Sequence, residues 1–526
     1  MSIAWSGSRR RWAFWLGTVL VLVGAGLHFP DYAMAGMDHY RMTGMAMGSA
    51  MTIGMVLIVV GLAAAVWALF PARPTRPEAE RTVPRGQFAA LEQTRLTRAH
   101  WGLIAVLTIG MVVDTMKPAS LGFVVPGMVK EYGLAKSTVA LLPFVAISGT
   151  VLGSLLWGYL ADVFGRRATI LLSTLIYVAS SICGFMPSFG WNLVMCLIMG
   201  ASAGGMLPTV YSLMSESMPA KKRGWLIVGQ AGLGTALGYL AASGAATLLA
   251  PTYSWRILWL IGAPTGLLLL ALSRWIPESP RFLFASGRPA QARAVMARYG
   301  ISEVPHQQEE PVEQPALVKV NRTSTGTLFQ SPLARRTIPI LLYGLSWGVI
   351  NWTFITFLPT LLQQSQTGVS ASALLFRSEL FALPTSVLAA VLYARWSSKK
   401  TLLLFAGSTF LVLAAFPILN ATGVGDQSVL VALLVVLLSS SNGMIATLAP
   451  YVTEVYPTDV RATASGLAAA ASKVGGLSGP LLLTAAPTIS GLALVCAVPV
   501  GVAGLVLSRT GTETAGRPLV EVVEPA

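Results

Sequence analysis

Gly158-Tyr159-Leu160-Ala161-Asp162-Val163-Phe164-Gly165-Arg166-Arg167 lies between two apolar runs, 138–160 and 168–187, each close to the roughly 20 residues a helix needs to cross a bilayer. Gly158 and Gly165 permit the tight break that so short a connection demands. Asp162 stands near the guanidinium groups of Arg166 and Arg167, so the turn carries its own carboxylate and cations. A short charged turn between two spanning helices suits a hinge at the cytoplasmic face, and the chain reads as an all-α membrane protein.

Composition points the same way. Of the 526 residues, 54% are apolar and 11% charged, and the mean hydropathy is +0.68, which is too apolar for a set of soluble domains. About fourteen stretches read as spanning helices, near 12–29, 48–70, 100–124, 138–160, 168–187, 192–217, 224–250, 256–275, 338–363, 374–394, 401–420, 428–453, 462–484 and 488–508. A net charge of +15 would suit nucleic acid, but the cations are sorted by side. With both termini in the cytoplasm and the runs alternating, 29 of the 36 Lys and Arg fall in cytoplasmic segments. Arg41, Lys130, Lys136, Arg256 and Arg377 edge the other face, and Lys117 and Lys473 lie within the membrane. Such a positive-inside bias belongs to a multi-pass protein of the cytoplasmic (inner) membrane, with the bilayer and not nucleic acid as its partner.

Cys183, Cys196 and Cys496 all fall in apolar runs and give neither a disulfide framework nor a metal spacing. His28, His39, His100 and His306 form no spacing with carboxylates or cysteines that would build a catalytic site. No enzyme, cofactor or metal centre is expected.

Residues 1–70 read as a two-helix N-terminal extension, 71–99 as a Pro- and Arg-rich cytoplasmic linker and 100–275 as a first six-helix half. A polar cytoplasmic central loop at 276–337, a second six-helix half at 338–508 and a cytoplasmic tail at 509–526 follow. The halves look like copies: Glu216-Ser217-Met218-Pro219-Ala220-Lys221-Lys222-Arg223 returns as Glu454-Val455-Tyr456-Pro457-Thr458-Asp459-Val460-Arg461, keeping the spacing E-x-x-P-x-x-x-R. Parallel halves of this kind place a substrate site between them near the midplane. The turn itself survives poorly in the second half. Tyr393-Ala394-Arg395-Trp396-Ser397-Ser398-Lys399-Lys400 keeps cations but has lost the Asp and both glycines, which places the weight of an inner gate on the first half around Asp162.

The 158–167 string resembles the loop between the second and third helices of the major facilitator superfamily. Trp275-Ile276-Pro277-Glu278-Ser279-Pro280-Arg281-Phe282 is similar to the P-E-S-P-R-[FWY] motif of its sugar porters, organic-ion transporters and aromatic-acid/proton symporters. Glu513-Thr514-Ala515-Gly516-Arg517-Pro518-Leu519 is similar to the P-E-T-x-G-R-x-L tail of sugar porters, with Thr512 in place of the Pro. The resemblance covers about residues 100–520. It implies two six-helix parallel-repeat halves that rock about a central site, preceded here by two extra transmembrane helices. It also implies a cytoplasmic gate drawn from Gly158, Asp162, Gly165, Arg166, Arg167, Glu216, Arg223, Glu278, Arg281, Glu454 and Arg461. The alternative for these groups is a set of helix caps and topological charges.

Substrate and coupling residues are sought among polar groups the bilayer should exclude, since a charge at the centre of a membrane helix costs about 2.5–3.5 kcal/mol on insertion scales. Asp114 and Lys117 are spaced i to i+3 on one face, able to pair, with Pro118 placed to loosen the helix. Lys473 precedes Val474-Gly475-Gly476-Leu477-Ser478-Gly479-Pro480 in the fifth helix of the second half. Asp114, Lys117 and Lys473 are expected to meet across the central cavity, Asp114 as the proton-coupling group and the lysines as anion ligands. An internal Asp114–Lys117 pair that only tightens the helix is the other possibility. Lys473 resembles the basic residue that organic-ion transporters and aromatic-acid symporters carry in this helix. Asp114-Thr115-Met116-Lys117 stands where the latter have D-G-x-D, so the second acid has become a cation. Gln230 lies near a sugar porter Gln, and Asn351-Trp352 occurs in the first helix of the second half. These three are candidate substrate ligands or helix-packing groups. Arg377 and Glu379 are expected to snorkel to the interface.

At the N-terminus, Arg9-Arg10-Arg11, the run from Trp12 and Ala33-Met34-Ala35 also fit a cleaved signal peptide, although the run spans when counted from Trp12 to Phe29. Met34, Met37, Met42, Met45, Met47 and Met51 beside His28 and His39 offer soft ligands for Cu(I), or an adaptable apolar surface. The function expected is secondary transport of a small organic anion or metabolite with a proton, by a monomer. A sugar or polyol porter, a drug efflux antiporter and a non-transporting nutrient sensor are the alternatives.

Overall fold

The computed structural model describes residues 8–70, 94–301, 328–330, 333–364, 370–422, 427–456, 458–486 and 488–514, and every regular element among them is helical. Fourteen of the helices are long and apolar enough to cross a membrane. The first two are α1 (Arg9–Asp38) and α2 (Ser49–Leu69). The first half comprises α3 (Arg98–Tyr132), α4 (Leu141–Ala161), α5 (Arg166–Phe185), α6 (Phe189–Ser217), α7 (Lys222–Leu248) and α8 (Ile257–Trp275). The second half comprises α9 (Ala334–Leu362), α10 (Ala371–Arg395), α11 (Ser398–Ile418), α12 (Ser428–Val452), α13 (Ala464–Ala485) and α14 (Ile489–Thr510).

Two helices depart from their expected form. α3 runs through Pro118 and Pro126 and stops only at Gly133, whose φ of 62° is the left-handed cap a glycine accepts readily. α9 widens into a π-helical segment at Ile350–Ile355, which contains Asn351 and Trp352. Such bulges locate at functional positions more often than elsewhere in helices.

Small residues set the packing, because lipid tails are as apolar as leucine and helices gain little by hiding leucine from them. In each half the first helix lies on the fifth through glycines. Gly234 and Gly238 of α7 face Met111 and Thr115 of α3, while Gly348 of α9 and Gly475 of α13 face Ser472 and Leu345 on the partner helix. Gly149 and Gly153 of α4 interlock with Gly200 and Gly204 of α6 by the same device. The extension is a hairpin of this kind too. A Cβ on Gly17 would sit 2.5 Å from the Gly61 carbonyl oxygen, and one on Gly24 2.5 Å from that of Gly54.

The hairpin docks on α5. Its connecting loop reaches over to α3, where Met42 N–H and Thr43 Oγ1 each donate to Glu131 Oε1 at 3.0 Å. Glu131 also accepts from Arg256 at 2.6 Å and from Trp255 Nε1 at 2.9 Å. Tyr32 OH donates to the Tyr253 carbonyl at 2.7 Å. The face holding this cluster is termed the opposite face, and the one holding the α4–α5 turn the basic face. Towards the opposite face the halves meet where Gly122 of α3 lies against the Thr356 carbonyl of α9, so closely that a Cβ would overlap it.

Candidate functional site

On the basic face the α4–α5 turn is built around one carboxylate. Gly165 has φ 106°, and a Cβ there would overlap Glu278 Oε2. Glu278 Oε1 accepts the backbone N–H of Arg166 at 2.9 Å, and Oε2 that of Arg167 at 3.2 Å, so the acid caps the α5 N-terminus. Burial raises the Glu278 carboxyl above its ordinary range, opposed by these N–H groups and the Arg166 charge. Arg166 Nη2 pairs with Glu216 at 3.0 Å, and Arg167 donates to the Ser273 carbonyl at 3.2 Å. Arg281 is exposed, Gly158 has open space beside it, and Arg223, whose backbone N–H donates to the Pro219 carbonyl at 3.0 Å, makes no side-chain hydrogen bond or ion pair among the described residues. The side chains of Asp162 and Arg461 lie outside the described residues.

The second half builds a similar cap from different residues. Glu513 Oε1 accepts the Ser398 N–H at 2.9 Å and Ser398 Oγ at 2.6 Å, and Ser397 Oγ donates to Glu513 Oε2. It thereby caps α11 as Glu278 caps α5. Glu454 accepts Tyr393 OH at 2.7 Å and Thr514 Oγ1 at 2.6 Å, where Glu216 meets a guanidinium. Burial raises Glu454 above the ordinary carboxyl range, countered by these two hydroxyls.

In the membrane interior the expected Asp114–Lys117 pair is not formed. Lys117, 1% exposed, turns towards α5, where its Nζ donates to the Tyr177 carbonyl at 2.9 Å and Ser180 Oγ at 2.6 Å. It also lies 4.4 Å from the centroid of the Tyr177 ring. These partners satisfy the ammonium more fully than one carboxylate on its own helix would. Asp114 is 4% exposed, and its carboxylate has no hydrogen bond or contact ion pair among the described residues. The charge that acts on it belongs to Lys473 of the other half, and the phenols of Tyr211 and Tyr177 lie within reach of its own.

The other candidates fall into separate places. Trp352 packs on Gly476, one turn along α13 from Lys473, and its indole N–H is buried without a partner among the described residues. Asn351 Oδ1 accepts Tyr239 OH of α7 at 2.9 Å, a hydrogen bond between the halves. Gln230, 3% exposed, has neither side-chain amide atom hydrogen-bonded among the described residues. It lies one turn towards the basic face from Gly234, which packs on α3. Arg377 is exposed as expected, but Glu379 is buried and does not snorkel. Sequence reasoning passed over Tyr177, Tyr211 and Tyr239. Their only signal is a polar tip in an apolar helix.

The Major Facilitator Superfamily profile matches residues 107–480, most of both six-helix halves. The chain belongs to this superfamily. Members of it are transporters, and the chain is a multi-pass membrane transporter and not an enzyme. It is 28% identical over 401 residues to the niacin transporter NiaP of Acinetobacter baylyi, covering 75% of this chain and 89% of that one. To the 4-hydroxybenzoate transporter PcaK of the same species it is 26% identical, covering 75% of this chain and 87% of PcaK. Its fold is similar to that of the xylose transporter XylE from E. coli, in a structure of that protein's partially occluded inward open conformation. The TM-score is 0.64 at 18% identity, over 80% of this chain and 100% of XylE. The two extension helices, α1 and α2, precede the matched segment.

Proposed function

We propose that this superfamily member imports a small organic anion together with a proton across the cytoplasmic membrane, and that the anion is an aromatic monocarboxylate. The basic face is then cytoplasmic, both termini lie on that side, and a single chain is the working unit. The observation that carries the proposal is the Asp114–Lys473 arrangement, in which a carboxylate and an ammonium from different halves act on each other without closing into a contact pair. Aromatic groups near these charges support an aromatic ligand: Tyr211 interacts with Asp114, and Trp352 packs on Gly476, one turn along α13 from Lys473. NiaP and PcaK, to which the chain is similar, are named for niacin and 4-hydroxybenzoate, both carboxylates on a six-membered aromatic ring.

Coupling follows from charge balance. A proton on Asp114 removes the charge that holds Lys473 and leaves the ammonium to bind the substrate carboxylate. Loss of that proton to the cytoplasm returns Lys473 to Asp114 and releases the anion. Lys117, engaged by Tyr177 and Ser180, anchors α3 to α5 and does not serve as a ligand.

The test is uptake into proteoliposomes of niacin, benzoate, 4-hydroxybenzoate and xylose, with and without an inward proton gradient. Gradient-driven uptake of the carboxylates, abolished in Lys473→Met, is expected. Uptake of xylose alone would replace this proposal with the sugar porter reading, and binding without uptake would favour a sensor.

A further inference from the structure

Glu379 is the buried acid that the proposed cycle leaves unused. It is 3% exposed, and its Oε2 is buried with no hydrogen-bond partner among the described residues. It lies on α10, which packs along α7 of the other half, so its surroundings change when the halves move. The phenol of Tyr239 on α7 feels its charge, and that phenol donates to Asn351 on α9. The cations nearby are placed elsewhere. Arg377, two residues away on the same helix, is exposed, and Lys399 and Lys400 of α11 sit at the basic face. So do Lys222 and Arg223 of α7, Arg335 and Arg336 of α9 and Arg395 of α10 itself, while Tyr343 of α9, Tyr393 of α10 and Tyr451 of α12 lie towards the basic-face ends of their helices. Among the described residues, Tyr239 is therefore the titratable group at this depth on the helices packed against α10.

Ionising a carboxylate buried this way, with no hydrogen-bond donor on its Oε2 and no ion pair among the described residues, is unfavourable, and a bound proton removes that cost. Its depth suits a proton arriving from the opposite face. Glu379 lies eight residues into α10 from Ala371, about 12 Å along the helix, and Tyr239 lies nine residues from the α7 end, about 14 Å. Asp114 lies much deeper, near the middle of α3.

We propose that Glu379 is a second proton-carrying carboxylate, loaded from the opposite face and sensing the α7–α10 contact between the halves. It deepens the proton-symport reading and rests on it only for the direction of proton movement. When α7 and α10 stand apart towards the opposite face, water there reaches the carboxyl and delivers the proton; in the closed arrangement the buried Glu379 holds it.

The experiment is infrared difference spectroscopy of the full-length protein in lipid, in light and heavy water, which reads the carbonyl band of a protonated carboxylic acid without any substrate. The wild type is expected to show the band at neutral pH, Glu379→Gln to lose the Glu379 part of it, and Glu379→Asp to restore a shifted band. Cys183, Cys196 and Cys496, all buried, report by resistance to a thiol reagent that each variant is folded. A Glu379→Gln band identical to the wild type would overturn the proposal. Asp114→Asn, measured alongside, separates the two carboxyls: coupling unchanged in Asp114→Asn defeats the symport reading and leaves the Glu379 band to be judged by itself.

Discussion

Replacing Glu131 by Ala should destabilise the protein by about 4 kcal/mol. Glu131 is 6% exposed and its partner Arg256 is fully buried at 2.6 Å, and removing one member of a buried pair costs about 3–5 kcal/mol. Arg256 keeps the Gly184 and Met186 carbonyls and the Tyr132 hydroxyl as acceptors, which places the charge part near 3 kcal/mol. Met42 N–H and Trp255 Nε1 lose their acceptor as well, adding about 1 kcal/mol after partial rearrangement. The loop between α1 and α2 is released with them. The assay is thermal unfolding in detergent with a thiol-reactive dye, for which the three buried cysteines are built-in reporters. Glu131→Ala should melt well below the wild type. Glu131→Leu combined with Arg256→Met should recover most of the loss, because no charge is then left unpaired. Wild-type melting of Glu131→Ala, or a double variant that loses the sum of the two single losses, would refute the reasoning.

Three further outcomes follow from the geometry of the faces. Glu278→Gln and Glu513→Gln should each speed hydrogen exchange about tenfold at the first turn of α5 and α11, as loss of a charge-assisted cap worth about 1.4 kcal/mol requires. Protection at Ser398 unchanged in Glu513→Gln would show that the second cap is incidental. Gly165→Ala should cost about 1–3 kcal/mol in the same thiol-dye assay, from its φ of 106° and its overlap with Glu278; a wild-type melt would contradict the tightness of that turn. Gly122→Leu should hold the opposite face open by pushing α9 away at Thr356, read as a longer spin-label distance between the α3 and α9 ends, and an unchanged distance would count against that seal.

What the sequence made legible was carried by local chemistry. Hydropathy runs located the fourteen spanning helices, and the repeated E-x-x-P-x-x-x-R strings exposed the two halves, because both signals lie along the chain. Extents were less readable: nothing local warns that α3 continues through two prolines, or that α9 widens around Asn351 and Trp352. Side-chain partners were the least legible. The i to i+3 spacing of Asp114 and Lys117 made a pair plausible, and it was α5, which supplies the Tyr177 carbonyl and Ser180 Oγ, that took the ammonium instead. Glu131 and Arg256 meet across 125 residues of chain, and Glu513 reaches Ser398 across 115. The loss of Asp and Gly from 393–400 suggested a weak second turn, yet the distant tail brings Glu513 to cap α11 as Glu278 caps α5. Glu379 was misplaced because helix ends and buried helix faces look alike when only depth along the helix is counted.

The most direct test of proton-coupled anion import is Asp114→Asn in proteoliposomes, comparing uphill uptake of niacin or benzoate under an inward proton gradient with exchange at equal pH. Accumulation by the wild type, loss of accumulation in the variant and retained exchange are predicted. Uphill accumulation by Asp114→Asn equal to the wild type would contradict the account.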